Sequence, residues 1–104
     1  MIKWYDNLYM DDIVKRKQKK IIKEMERGKV TFEVYCIAIA SNPQNLFDII
    51  NVNELLFKHY KRNDIYIIGL TFSRDSAIEI TKSIIQKMYE DTGGFKVREY
   101  FKFN

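Results

Sequence analysis

Two stretches of this sequence are apolar on both faces of an extended chain, one of them only in its second half, and that property restricts the architectures open to it. In residues 64–73, Tyr66, Ile68, Leu70 and Phe72 alternate with Ile65, Ile67 and Gly69. In residues 30–40, Val30, Phe32, Val34, Cys36, Ala38 and Ala40 form one apolar face. The other face is polar at Thr31 and Glu33 and turns apolar at Ile37 and Ile39. A strand with two apolar faces needs cover on both sides. Amphipathic helical stretches flank both strands, so the expected class is α/β.

Asp11 and Asp12 suit the first turn of a helix over residues 11–27, which Gly28 ends and whose stripe is Met10, Val14, Ile21 and Met25. Ser41-Asn42-Pro43 reads as a helix start, predicting short helical pieces around Leu46 to Ile50 and over 54–60. Ser73 is placed to cap a helix over 74–91, with Ala77, Ile80, Thr81, Ile84, Ile85 and Met88 as its core stripe. Gly93-Gly94 ends it and turns the chain into a last strand, 95–103, with Phe95, Val97, Phe101, Phe103 and Glu99 facing inward. Residues 1–10 form an aromatic arm, its Trp4 or Tyr5 sharing one face of a helical turn with Leu8. The expected order is αβαβαβ: one small α/β domain over residues 1–104, the arm packed on it, with a three-stranded, mostly parallel sheet covered by helices.

The 104 residues leave no room for a second core, and the 46% of hydrophobic residues supports a packed one. Charges punctuate every helical stretch, so no membrane span is expected. The opening residues lack a secretory pattern, and Cys36 is alone, which together lead to the expectation of a cytoplasmic protein. A thiol inside an apolar strand is expected to behave as a small buried hydrophobe. The lone His59 sits among cations, without an obvious partner for acid–base work. With one His and one Cys, no metal or cofactor is expected.

The densest local signal is cationic. Lys15, Arg16, Lys19, Lys20, Lys23 and Arg27 fall on one side of the first helix, opposite Val14, Ile21 and Met25. Such a ridge can follow nucleic-acid phosphates, or it can simply be a solvated face. Lys61 and Arg62 add a second patch, and Lys96, Arg98, Tyr100 and Lys102 a third. No helix-turn-helix, zinc finger or strand of interleaved aromatic and basic residues accompanies them. Ser41, Asn42 and Asn45 are expected at the carboxyl end of a parallel strand, where open α/β sheets bind ligands, although helix capping explains them more simply. Gly69 marks a close approach of neighbouring chain. The last strand, with Phe95, Val97, Tyr100, Phe101 and Phe103, offers an edge for pairing with a second copy or a partner peptide.

The segments 40–50, Asn53-Glu54-Leu55, 64–69 and 91–98 resemble those of small uncharacterised proteins from gut-type bacteria, a resemblance that spans most of the chain and carries no assigned activity. The expected function is that of a non-enzymatic domain acting through self-association or protein contacts. The alternative is an accessory protein whose basic helix contacts nucleic acid.

Overall fold

The computed structural model describes residues 2–58 and 64–103. Its strands are β1 (Ile2–Met10), β2 (Tyr35–Ile39), β3 (Phe47–Asn51) and β4 (Ile65–Thr71). Its helices are α1 (Asp12–Arg16), α2 (Gln18–Arg27), α3 (Val52–Lys58), α4 (Arg74–Thr92) and α5 (Val97–Tyr100). The sheet order is β1-β4-β2-β3; β1 and β4 run parallel, and β2 is antiparallel to both β4 and β3. The fold is thus a four-stranded mixed sheet with five helices, which corrects the expected three-stranded, mostly parallel one.

Both faces of the sheet are covered, as the two-sided strands require. Val14, Ile21, Met25, Val52 and Leu55 from α1, α2 and α3 pack on one face against Cys36, Ile67 and Leu70. Ala77, Ile84 and Met88 from α4, with Val97 and Phe101, pack on the other against Ile37 and Ile68. Ile67 and Leu70 share a face although three residues apart, because the β2–β4 register slips where Ile37 faces Gly69 and Ala38 faces Ile67. The simple alternation expected for residues 64–73 therefore breaks at this irregularity.

Each departure from the expected elements has a local cause. Within the expected arm at 1–10, Ile2–Met10 is strand β1, whose register against β4 slips between Trp4 and Tyr9 and leaves Asp6 and Asn7 exposed. The expected helix 11–27 is broken at Lys17, where the Gln18 side-chain amide donates to the Lys15 carbonyl at 3.3 Å and replaces a helical bond. Residues 30–33 lie outside strand β2, and the Asn53 side chain both donates to and accepts from the Val30 backbone, at 3.0 and 2.8 Å, holding the chain there apart from the ladder. Glu24 accepts from Thr31 N–H at 2.8 Å, a bond that also holds its carboxyl below the usual range. Around Pro43 there is a tight turn, closed by Asn45 N–H donating to Asn42 O at 3.0 Å, so Phe47 and Ile49 continue into a hairpin strand and not a helix. The expected last strand is the short helix α5.

Two glycines take the left-handed conformation anticipated for helix ends, Gly28 at φ 101° and Gly93 at φ 73°. Gly69 lies where a Cβ would come within 2.9 Å of the Tyr9 carbonyl oxygen, the close approach expected of it.

Candidate functional site

The cationic ridge is carried by α1 and α2. Val14, Ile21 and Met25 are fully buried and fix which way the helices turn, leaving Lys15, Arg16, Lys19, Lys20, Lys23 and Arg27 exposed, with Lys17 and Lys29 beside them. Residues 15–29 hold eight cations against Glu24 and Glu26, a net charge of +6 in a chain of net +4, so the remainder carries −2. Lys20 lies 3.9 Å from Glu24; among the described residues no acid pairs with Lys15, Lys19 or Lys23. The Lys17 and Lys20 ammonium groups stand 5.2 and 5.9 Å from the centroid of the Phe32 ring, which is itself packed on the core. This ring gives the two lysines an anchored, partly apolar base. Sequence reasoning did not include Phe32 in the ridge, because nothing in its spacing connects it with α2.

Among the described residues, the third cationic patch does not join this surface. Lys96, Arg98, Tyr100 and Lys102 belong to the segment that covers the opposite face of the sheet. Arg98 is engaged locally, donating to the Ala40 carbonyl at 2.9 Å. Lys61, Arg62 and His59 lie outside the described residues.

Residues 95–103, expected to offer a strand edge for self-association, form no strand. Val97 and Phe101 are buried on the α4 side of the sheet, and Phe101 meets Tyr5, Phe47 and Tyr100 edge-on at centroid distances of 5.1, 6.0 and 5.0 Å. Phe103 packs against the same cluster, Phe95 stacks on Tyr89, and Glu99 is exposed, not inward-facing. Tyr100 donates to Asp91 at 2.6 Å, which pushes its phenol up to about 12 and holds the carboxyl down. That bond accounts for an acid at the end of α4 that the helix dipole would disfavour.

Three places in the molecule bring together groups that could carry chemistry. Ser41, Asp48, Asp64 and Arg98 share a hollow of about 170 Å³ at one end of the sheet, below the few hundred cubic ångström usual for a small-molecule site. No hydrogen bond joins Ser41 to Asp48, and the turn that carries Ser41 links antiparallel strands, not a parallel strand to a helix. Cys36 is fully buried, and burial pushes its thiol up to about 12, far from a reactive thiolate. The third place is the crevice at the carboxyl ends of β1 and β4, where the following helices leave on opposite faces, the usual ligand position in open α/β sheets. Asp11 fills it: one carboxylate oxygen accepts from Val14 N–H at 2.9 Å, the other from Phe72 N–H at 2.7 Å and Ser76 Oγ at 3.2 Å. Among the described residues no group of three His, Cys, Asp or Glu could hold a metal ion. No described helix is long and apolar enough to cross a membrane.

No protein-family model, curated protein or solved structure matches the chain.

Proposed function

We propose that this domain is a nucleic-acid-associated accessory protein that contacts phosphates through the exposed face of α1 and α2. The observation that carries this reading is the segregation of charge: net +6 within residues 15–29 against −2 elsewhere, with all eight cations exposed. A ridge of this kind neutralises phosphates and releases their counterions, which makes binding steeply salt-dependent and largely indifferent to sequence. The lysines over Phe32 set part of the ridge on a packed support, lowering the side-chain entropy that binding would otherwise cost.

Fluorescence anisotropy with generic DNA and RNA duplexes over a salt series tests the proposal. Each phosphate contact should contribute about 0.9 to the slope of log affinity against log salt on duplex DNA. Replacing Lys15, Lys19 and Lys23 together by Ala should flatten that slope by two to three units, taking about 0.9 per lost cation. Absence of binding at low salt, or an unchanged slope in the triple variant, would refute it.

A further inference from the structure

We propose that the free edge of β3 pairs antiparallel with the same strand of a second copy, on a two-fold axis at Ile49, joining two four-stranded sheets into one. This inference is independent of the cationic ridge and rests on the hydrogen-bond phase of β3. Ala40 N–H donates to Leu46 O at 3.2 Å and Val52 N–H to Val34 O at 2.9 Å, in the register that places Cys36 opposite Ile50 and Ala38 opposite Asp48. Hydrogen-bonded and non-bonded pairs alternate along an antiparallel ladder, so Phe47, Ile49 and Asn51 direct their N–H and C=O groups away from β2. Among the described residues no strand pairs with them there, and of these groups the Asn51 carbonyl, at the N-cap position of α3, belongs to the first turn of that helix.

The row of outward groups is complementary to itself. Its odd number puts Ile49 opposite Ile49 of the second copy and Phe47 opposite Asn51 in both directions, about four hydrogen bonds in all: two between the Ile49 residues and one from each Asn51 N–H to the Phe47 carbonyl of the other copy. The turn before Leu46 and the start of α3 at Val52 bound the strand at both ends, so a second β3 matches its length. The strand is short and carries one charge, Asp48, but has few other protections of an exposed edge. It has no Lys or Pro, its register with β2 is regular throughout, and all five residues are only half-buried. The opposite edge, β1, is interrupted by its slip between Trp4 and Tyr9.

Two measurements test the pairing. Sedimentation velocity over a concentration series should show a reversible dimer that Ile49→Pro abolishes; this change removes an outward donor and spares the β2 ladder. Directly opposed residues of a hydrogen-bonded pair have Cα atoms about 5.5 Å apart, within disulfide reach. Mild oxidation of Ile49→Cys should therefore give a covalent dimer, whereas Ser83→Cys on the exposed side of α4 should not. The buried native Cys36 leaves the engineered thiol as the reactive one. The cross-link keeps the test decisive if the Pro variant fails to fold. A monomer at every concentration, or equal cross-linking at both positions, would overturn the proposal.

Discussion

At the scale of single residues, Asp11 holds more of the molecule together than any other polar side chain described. It caps α1, accepts the Phe72 amide just beyond β4 and the Ser76 hydroxyl in α4, and so joins elements from both faces of the sheet. Loss of an N-cap costs about 1 kcal/mol, and stranding a partner of a charged acceptor costs a further one to two. Asp11→Ala should lower the unfolding free energy in urea by roughly 2–3 kcal/mol, and Asp11→Asn by less, since an amide can still cap Val14 but offers no second acceptor. Its location was partly legible: two adjacent acids before an apolar stripe announce a helix start, whereas the bond to Phe72 needs β1 and β4 side by side. Cys36 makes a different prediction. Its thiol ionises near 9 when unfolded and near 12 when folded. Stability from this group is therefore complete below pH 9 and lost between 9 and 12, at about 1.4 kcal/mol per pH unit. Urea titrations of the wild type and Cys36→Ala at pH 8, 9 and 10 should show the wild type losing more stability as pH rises. Thiol reagents at pH 8 should label Cys36 only after denaturation.

At the scale of elements, legibility followed how many readings each apolar spacing allowed. Helix α4 has Ala77, Ile84 and Met88 at helical spacing over nineteen residues, a Ser73 cap and a Gly93 stop, and no strand period fits it. By contrast, Val97 and Phe101 are four apart, a separation that returns to the same side in a helix and in a strand alike. The expected strand thus had the right buried residues and the wrong backbone. Around Pro43, an Asn-Pro pair suits position one of a helix and the corner of a turn equally, and the short Phe47 to Ile50 run is compatible with either. Strand β1 was obscured by its own slip, which spoils any period of two across Asp6 and Asn7. Gly69 is where that slip is accommodated: a Cβ there would stand 2.9 Å from Tyr9 O and 3.1 Å from Ile37 Cδ1. The first contact is backbone and cannot rotate away, so Gly69→Ala should cost about 1–3 kcal/mol, read as a lowered urea midpoint, with added amide exchange in β1.

At the scale of the whole molecule, the arrangement separates packing from charge. The sheet is enclosed between two apolar layers, and most of the unbalanced positive charge stands outside one of them, on α1 and α2. The ridge itself was legible because helical spacing alone places its residues on one side; its isolation from the 96–102 patch was not, because that depends on which face each helix covers. The isolation yields a prediction that separates function from fold. Lys23 sits one turn from both Lys19 and Arg27 in α2, and like charges at that spacing destabilise a helix by about 0.2–0.5 kcal/mol per pair. Lys23→Glu turns these two repulsive pairs into attractive ones, the changes against Lys20 and Glu26 three residues away offset each other, and the unfolding free energy should rise by about 1–2 kcal/mol at low salt, a gain that fades as salt rises. The same substitution removes a phosphate contact and adds a repulsive one, so nucleic-acid affinity at low salt should fall at least tenfold. A variant both more stable and weaker in binding cannot owe its weakness to unfolding. If affinity instead held steady while stability rose, the ridge would be a solvated surface whose charges repel one another without serving a ligand.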